Sequence, residues 1–457
     1  MSWNVPTPLA IACLALFLLA ACGDSDEPQD PGNQNHGDDP PASAEAPGEL
    51  MQSDVDQDTD PDVDDAVFAE FSADNRDFAF SIFDQLRQEE GEGENIFTSP
   101  HSISLALAMT YAAAEENTRD EMAQALRFLI DDDDLHPAFN LLGNELDSRS
   151  DLDLDEDEGE AFELDVVNQT WGQDGAPFAQ DYLDLLALNY GAGMYGVNFA
   201  ENPEEIREGI NKWVEAQTNQ RIEDLLPEGS ITPATIMVLV NAIYFYGSWN
   251  APFDEELTES ADFTRPDNST TSVEMMDHFS TVAAGYYEDD DTVAVSIPYV
   301  GRDLSMIALK PADEDDDFYA WEEALSREDF DAIVDEMSVG QGSLQFPKFE
   351  DEGEFGLVDA FQALGMNDAF EPSAANFMGF YDDMDLPSPV ISGIFHKTFV
   401  AVDEEGTEAA AATAVVAEDT SAPVEEWSAR FDRAFSYAIY DHPTETILFM
   451  GRLVDPS

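Results

Sequence analysis

Basic residues are scarce in this chain. Its 457 residues include 100 Asp and Glu but only 17 Lys and Arg, four of them Lys, so the formal net charge is −83. A nucleic-acid partner requires Lys and Arg to neutralise the phosphate backbone, so this composition excludes nucleic-acid binding. So large a charge repels itself in dilute buffer, and the compact state therefore needs screening by salt. The acidic surplus with few Lys is typical of adaptation to high salt.

Cysteine and histidine are also rare. The sequence has two Cys, Cys13 and Cys22, and six His at scattered spacings. Both Cys lie within the first 22 residues, so the rest of the chain forms no disulfide and must be stabilised by packing. The His spacings match no metal-site signature. We therefore expect neither a metal nor a cofactor.

The N-terminal apolar run, Leu9 to Ala21, is too short to cross a bilayer, which takes about 20 residues. Its end, Leu19-Ala20-Ala21-Cys22, is similar to the lipobox of bacterial lipoproteins, whose cysteine carries the lipid. Residues 1–22 are therefore predicted to be a lipoprotein signal peptide with Cys22 as the lipid attachment residue, although no Lys or Arg precedes the run. An ordinary cleaved secretory signal is the alternative. We expect a cell-envelope lipoprotein, periplasmic or on the outer surface, or one released from the cell.

The composition changes again near residue 66. Residues 23–66 hold six Pro and 15 acidic residues and no Lys or Arg, so we predict a disordered acidic tether. Residues 67–457 are expected to form one folded domain, because the chain is 43% hydrophobic and has 30 Phe. Within it, Val67 to Leu86 has the periodicity of an amphipathic helix. The acidic runs Asp131 to Asp134 and Asp147 to Glu160 are interpreted as loop insertions.

The stretch Glu404 to Ser421 reads EEGTEAAAATAVVAEDTS. With a period of two, one face is small and uncharged, while Glu408 and Glu418 both fall on the other face. The uncharged face consists of Thr407, Ala409, Ala411, Thr413, Val415 and Ala417. A strand in the middle of a sheet requires such a face. From these residues alone, an Ala-rich surface helix or loop is the alternative.

Ten further segments occur in a fixed order along the chain. They are 95–103 (NIFTSPHSI), 210–215, 218–227, 239–249, 252–253, 273–276, 297–299, 346–349, 395–400 and 447–456. Together they resemble the serpin family over about Val67 to Pro456. Two positions depart from the family pattern: Ala113 stands where Gly is usual, and Ala434 stands where Pro is usual.

The resemblance implies an α+β serpin fold. We expect a large mixed central β-sheet with smaller sheets, about eight or nine helices and an exposed reactive loop. In that family the stretch described above is the hinge and the reactive loop. The hinge residues would be Glu404, Gly406, Thr407, Ala409, Ala410, Ala411 and Ala412.

The resemblance also implies two groups of residues that control the central sheet. The first, a polar cluster beneath the sheet where the central strands part, comprises Ser99, Ser102, Asn241 and His396. The second, at the top where the loop enters, comprises Trp249 and the pair Lys348 and Glu404. No acid is placed by a motif to orient His396, so the polar cluster is not a catalytic triad. We do not expect an enzyme.

The function implied is inhibition of a serine protease, or alternatively a cysteine protease, by a suicide-substrate mechanism. The protease attacks the loop, and the loop inserts into the central sheet before the acyl-enzyme is hydrolysed. Family spacing puts 14 residues between Gly406 and the attacked carbonyl, which gives Thr420–Ser421 as the reactive bond. The small side chain of Thr420 suits elastase-like or subtilisin-like proteases.

The remaining expectations concern partners. We expect a monomer that meets the membrane only through its N-terminal lipid. The region that binds sulfated polysaccharide in some serpins contains little basic charge here beyond Arg119 and Arg127, so no such cofactor is expected. The alternative function is a non-inhibitory serpin that acts as a surface binding lipoprotein. The small hinge residues count against it, because members that do not insert often carry bulky or charged residues there.

Overall fold

The computed structural model of the chain describes residues 45–149, 163–278, 281–382, 387–407 and 426–457, without the side chains of 163–168, 242 and 244. All of these residues belong to one compact unit. The first helix, α1 (Asp65–Glu90), contains the predicted helix Val67 to Leu86. The Asp64 carboxylate caps its N-terminus, and Gly91 ends it with φ of 78°, a conformation that favours glycine.

Eight further α-helices follow in the described part of the chain. They are α2 (Pro100–Tyr111), α3 (Glu116–Leu126), α4 (Asp132–Ser148), α5 (Gln180–Tyr190), α6 (Pro203–Gln217), α7 (Phe318–Ala324), α8 (Arg327–Glu336) and α9 (Val358–Ala363). Two short 3-10 helices span Asp368–Phe370 and Met378–Phe380. The helices of the described residues therefore agree with the expected eight or nine.

The acidic run Asp131 to Asp134 is not a loop insertion, and that interpretation was wrong. Of the second run, Asp147 lies in α4, and residues 150–160 lie outside the described residues. Asp131 is the N-cap residue of α4, and Asp132, Asp133 and Asp134 form its first turn. Negative side chains at this position interact favourably with the positive end of the helix dipole. A run of Asp is therefore compatible with a helix start.

The described strands form two sheets. In chain order they are β1 (Glu49–Met51), β2 (Ile96–Thr98), β3 (Glu163–Gln173), β4 (Met194–Val197), β5 (Met237–Ser248), β6 (Glu259–Thr264), β7 (Thr270–Met276), β8 (Val282–Glu288), β9 (Thr292–Pro298), β10 (Leu304–Pro311), β11 (Ser338–Pro347), β12 (Phe349–Gly356), β13 (Phe395–Val402), β14 (Gly406–Thr407), β15 (Trp427–Arg430), β16 (Phe435–Asp441) and β17 (Thr446–Leu453).

The central sheet is mixed and has the strand order β1-β4-β3-β5-β14-β13-β12 among the described residues. Strand β5 pairs antiparallel with β3 and parallel with β13, and β14 lies between β5 and β13 at one end. We call this the upper end, where β5 finishes at Ser248, and the lower end is where β5 begins at Met237.

The second sheet has the order β2-β17-β16-β10-β9-β8-β11-β7-β6, and β15 pairs with β11. It is continuous because β11 pairs with strands of both parts. The start of β11 pairs with β8, whereas Phe346 and Pro347 pair with β7.

The main core lies between the central sheet, the second sheet and the first helices. Phe97 of β2 and Phe449 of β17 stack with ring centroids 5.2 Å apart, and Phe245 of β5 packs against Phe449 edge-on at 5.8 Å. A separate cluster on the central sheet contains Trp171 of β3 and Ile210 of α6. The central sheet is therefore covered by apolar packing, which fixes the register of its strands.

The ordered domain begins earlier than the sequence predicts. The expected tether ran to residue 66, but Glu49–Met51 forms β1 and pairs antiparallel with β4. The Trp171 indole N–H also donates a hydrogen bond to the Pro47 carbonyl at 3.0 Å. Backbone groups pair with an open sheet edge whatever the side chains carry, so acidic composition did not reveal this strand.

Gly191, Gly193 and Gly196 have the spacing GxGxxG. They follow helix α5, and Gly196 lies in strand β4, so the order is helix then strand, which is the reverse of the order in dinucleotide-binding folds. None of the helices in the described residues combines the length and hydrophobicity that are needed to cross a bilayer.

Candidate functional site

The upper end of the central sheet is closed by the start of the predicted loop. Gly406 pairs with Ser248 of β5, and Thr407 pairs with Gly247 of β5 and with Val402 of β13. Two residues of the hinge have thus already entered between β5 and β13. Below them, β5 and β13 pair directly with each other from His396 to Phe399.

The turn before β14 explains the glycine at position 406. The Asp403 carboxylate accepts hydrogen bonds from the backbone N–H groups of Glu405 at 2.9 Å and Gly406 at 3.1 Å. A Cβ atom on Gly406 would lie 2.2 Å from the Gly247 carbonyl oxygen. Only glycine allows so close an approach of the hinge to β5.

Thr407 is completely buried, and its Oγ1 is 2.9 Å from the Tyr299 hydroxyl. The Tyr299 ring stacks on Trp249 with centroids 4.6 Å apart. The Trp249 indole N–H in turn donates to the Asp403 carbonyl at 2.9 Å. Burial raises the pKa of Tyr299 well above its usual value, so its hydroxyl stays neutral beside Thr407.

An ion pair holds the outside of the same turn. Lys348 Nζ lies 2.8 Å from Glu404 Oε2, and the Thr258 hydroxyl donates to Glu404 Oε1 at 2.7 Å. Burial alone would raise the pKa of Glu404, but the hydrogen bonds from Lys348 and Thr258 outweigh it and lower that pKa. Likewise, burial would lower the pKa of Lys348, but the bond to Glu404 raises it. The Lys348 side chain is 46% exposed and the Glu404 side chain only 10%, so the ion pair is open to solvent on the Lys348 side.

The polar cluster lies under the middle of the sheet, where β5 and β13 pair. Asn241 Oδ1 accepts from the Ser102 hydroxyl at 2.8 Å, and Asn241 Nδ2 donates to the Ser102 carbonyl at 2.7 Å. The Ser99 hydroxyl caps α2 by accepting from Ser102 N–H and donates to the Leu448 carbonyl at 2.7 Å. These bonds join α2 to both sheets.

His396 completes the polar cluster. Its Nε2 accepts from Ser99 N–H at 3.0 Å, so the proton lies on Nδ1, which donates to Asn241 Oδ1 at 2.8 Å. Burial lowers the pKa of His396 to about 3. The ring is therefore a neutral structural link between β13, β5 and α2. No described carboxylate bonds to it, and this is not the geometry of nucleophilic catalysis.

The structure thus brings the predicted residues together in two groups. One is the polar cluster of Ser99, Ser102, Asn241 and His396. The other, at the upper end, comprises Trp249, Lys348, Glu404, Gly406 and Thr407. The remaining predicted site residues lie outside the described residues: Cys22, Ala409, Ala410, Ala411, Ala412, Thr420 and Ser421. In the described parts of the chain no group of three His, Cys, Asp or Glu residues is arranged to hold a metal ion.

Sequence reasoning did not identify three residues at the upper end. Tyr299 lay within the quoted segment 297–299 but received no role. Asp403 precedes Glu-Glu-Gly, and an Asp that begins a turn ending in Gly is a recognisable local signal. Thr258 had no local signal, because it lies 146 residues before Glu404 in the sequence.

Comparisons with known proteins agree with this architecture. The family model described as Serpin (serine protease inhibitor) matches residues 73–456. Human Serpin B8 is 36% identical over 386 residues, which cover 84% of this chain and 98% of that protein. The Leukocyte elastase inhibitor of Equus caballus is 33% identical over 393 residues, which cover 85% of this chain and 100% of that protein.

A solved structure is also similar. The crystal structure of tengpin, a thermophilic serpin, in its native state aligns with a TM-score of 0.73 and 27% sequence identity. The alignment covers 89% of this chain and 97% of tengpin. The motifs, the two groups of residues and these matches lead to one conclusion: the chain belongs to the serpin family.

Proposed function

We propose that the chain inhibits a serine protease as a suicide substrate and traps it as a covalent acyl-enzyme. The observation that carries the proposal is the register of Gly406 and Thr407 between β5 and β13. Eleven residues further along the antiparallel pairing, Ala417 would meet Met237 at the lower end of β5. A loop from Gly406 to Ala417 therefore matches the length of β5.

The side chains of residues 407–417 are suited to a strand between β5 and β13. Thr407 faces the core, so alternate residues from Ala409 to Ala417 would face the core as well. They are small, and one of them, Thr413, is polar. If the registers of Gly406 and Thr407 continued for six more residues, Thr413 would lie opposite Asn241 on one side and His396 on the other. The polar residue of the loop would thus meet the polar cluster of the sheet.

The chemistry follows from this geometry. The protease serine attacks the Thr420 carbonyl, the amine of Ser421 leaves, and an ester joins Thr420 to the protease. If the loop inserts before water hydrolyses the ester, β5 and β13 separate and a new antiparallel strand forms between them. The new strand adds backbone hydrogen bonds, each worth about 1 kcal/mol net, and buries its small side chains. The attached protease is carried with the loop and distorted, so the ester persists.

Two features support an elastase-like or subtilisin-like target. Thr420 has a small side chain, and a relative is named Leukocyte elastase inhibitor. Glu418 and Asp419 precede the bond, so they would repel proteases with acidic specificity pockets. A cysteine protease whose specificity pocket accepts a small residue such as Thr420 is a further target in this proposal.

The test is to mix the protein with a panel of serine and cysteine proteases and to separate the products in SDS. We expect a band at the combined mass with an elastase-like or subtilisin-like enzyme, and loop cleavage at Thr420–Ser421 by mass spectrometry. Cleavage without such a band in the whole panel would contradict the trap. That result would favour the non-inhibitory alternative, a surface binding lipoprotein.

We also propose that the mature protein is a cell-envelope lipoprotein attached through Cys22. The support is the segment Leu19-Ala-Ala-Cys22, and intact mass spectrometry of the membrane fraction tests it. A mature N-terminus other than lipidated Cys22 would contradict it.

Adaptation to high salt is a further proposal, supported by the net charge of −83. We expect the melting temperature to rise as NaCl increases towards molar concentration, where the Debye length falls to about 3 Å. A melting temperature that does not change between low and molar NaCl would contradict charge-limited stability.

A further inference from the structure

Two sequences in the chain match the acceptor motif for N-linked glycosylation, which is Asn, any residue except Pro, and then Ser or Thr. They are Asn168-Gln-Thr170 and Asn268-Ser-Thr270. A motif of three residues often occurs by chance, so its place in the fold decides whether a glycosyl transferase can reach it.

The first motif lies inside the central sheet. The backbone of Asn168 pairs with Asn241 of β5, and Thr170 pairs with β5 on one side and with β4 on the other. Thr170 is only 2% exposed. A transferase therefore cannot reach this motif unless the central sheet unfolds.

The second motif lies at the tip of the hairpin that β6 and β7 form. The Arg265 N–H donates to the Ser269 carbonyl at 2.8 Å, and the Asn268 N–H donates to the Arg265 carbonyl at 2.9 Å. Asn268 has φ of 65°, a left-handed conformation that Asn adopts more readily than most residues. Asn268, Ser269 and Thr270 are all exposed. The turn therefore presents the whole motif to solvent.

The polar side-chain groups of this second motif have no other partner. Among the described residues, neither the Asn268 side-chain amide nor the Thr270 hydroxyl forms a hydrogen bond. The base of the turn is held in place, because Arg265 donates to both carboxylate oxygens of Asp455, at 2.6 and 2.9 Å. The acceptor amide is therefore available on an anchored turn.

We propose that Asn268 carries an N-linked glycan that is transferred from a lipid-linked oligosaccharide. In the transfer, Nδ2 of Asn268 bonds to the anomeric carbon of the first sugar and loses one proton. The bond between that carbon and the phosphate of the lipid breaks, and the lipid phosphate leaves with the electron pair. This site rests on the proposed cell-envelope location and is independent of the proposed trapping function.

The position of Asn268 leaves the upper end of the central sheet uncovered. Glu259, at the other end of β6, follows Thr258, whose hydroxyl bonds to Glu404. Thr264, beside the turn, lies five residues after Glu259, or about 17 Å away along the strand. Among the described strands, β6 is also an edge of the second sheet, and a bulky hydrophilic group beside an edge hinders its pairing with other chains. A glycan on Asn268 would therefore shield this edge without covering the hinge.

Mass spectrometry of the protein from its natural host tests the site. Trypsin releases the two motifs in separate peptides, 150–207 and 222–302, because Arg265 is followed by Pro266 and is not cleaved. Four proteins are compared: the parent, Asn268→Gln, which lacks the acceptor, Thr270→Ala, which lacks the hydroxyl of the motif, and Ser269→Ala. The last variant is the matched control, because it changes a residue of the same turn and keeps the motif.

We expect peptide 222–302 of the parent and of Ser269→Ala to carry an added mass and to release sugar fragment ions. The modification should be lost in Asn268→Gln and in Thr270→Ala, and peptide 150–207 should be unmodified in all four proteins. An unmodified peptide 222–302 in the parent, or a sugar that persists in Asn268→Gln, would overturn the proposal. The N-terminal peptide of the same protein shows whether Cys22 is lipidated, so an error in the proposed location is distinguishable from an error in the site.

Discussion

Strands β5 and β13 are held together in two different ways along their length. In the middle they pair directly, above the polar cluster, whose members are buried, neutral and hydrogen-bonded to one another. At the upper end they are joined through Gly406 and Thr407 of the hinge, and outside them lies the ion pair of Lys348 and Glu404. The upper end is therefore closed by the segment that the proposed mechanism moves.

The two regions also differ in the free energy that it costs to break their contacts. Leaving a buried donor or acceptor unpaired costs about 1–3 kcal/mol, so the polar cluster resists a local opening. Lys348 is half-exposed, although Glu404 is largely buried, and ion pairs that are open to solvent contribute about 0–1 kcal/mol, so the outside of the turn should yield more easily. If the proposed insertion takes place, we therefore expect the sheet to open from the upper end downward, with the polar cluster as the barrier that the inserting loop must pass.

The largest effect is expected from Thr407→Arg, which tests the upper end. Thr407 is fully buried beside Tyr299, and a guanidinium there would have to lose its water at a cost of several kcal/mol. This cost should keep the hinge of the variant out of the sheet, so insertion must bury the guanidinium again. Because each 1.4 kcal/mol on the insertion barrier is about tenfold in rate, hydrolysis should win. We expect loop cleavage at an unchanged rate and no covalent band in SDS.

The matched control for this variant is Glu408→Arg. It introduces the same side chain one residue later, on the opposite face of the predicted strand, and should leave trapping intact. If the two variants behave identically, the prediction that alternate residues of the loop face the core is wrong.

The second effect concerns the polar cluster and pH. The pKa of His396 is about 3 in the folded protein, against about 6.5 for an unperturbed His. Since the unfolded chain binds the proton first, this stability is present above pH 6.5 and is lost as the pH falls towards 3. Between pH 6.5 and 5 the loss should be about 2 kcal/mol. Urea unfolding at both values, in molar salt, measures it.

The control for the pH effect is His396→Gln, which cannot titrate. Other buried histidines titrate in both proteins, so their contribution cancels in the comparison. We expect the parent to lose about 2 kcal/mol more than the variant between pH 6.5 and 5. An equal loss in the two proteins would mean that protonation of His396 does not limit the stability of the cluster.

A smaller effect is expected from Thr413→Val, which connects the two regions. After insertion, the Thr413 hydroxyl should replace the direct bond between His396 and Asn241. Removal of the Thr413 hydroxyl should lower the unfolding free energy of the loop-cleaved form by about 1.5 kcal/mol. The uncleaved form should be unaffected, because His396 and Asn241 bond to each other there. Val415→Thr is the control, and a loss in the uncleaved form would contradict the register.

The smallest change in stability is expected from Lys348→Glu. Loss of a half-exposed ion pair, together with repulsion from Glu404, should cost about 1 kcal/mol. It should nevertheless loosen the upper end and promote loop–sheet polymers on warming, which size-exclusion chromatography detects. Lys397→Glu breaks another ion pair of the central sheet, that of Lys397 with Glu354, away from the upper end. If both variants polymerise at the same temperature, the position of the pair is unimportant.

Several elements were predictable because their signals are local or carried by motifs. The α1 helix follows from the apolar period of Val67 to Leu86, and the structure adds Asp64 and Gly91 as its caps. The pairing of Lys348 with Glu404 and the grouping of the polar cluster followed from the serpin resemblance. The short strand β1 was not predictable, because its pairing depends on an open edge at β4 that no local pattern records.

The sequence by itself determined the class of the fold, the acidic character of the protein and the alternating face of the loop. These properties depend on composition, on periodicity and on motifs that are read along the chain. Only the tertiary structure decided that Thr407 meets Tyr299, that Thr258 supports Glu404, and that β1 pairs with β4 at the edge of the central sheet. Each of those facts depends on strand order and register, which bring distant residues together through packing that no single segment encodes.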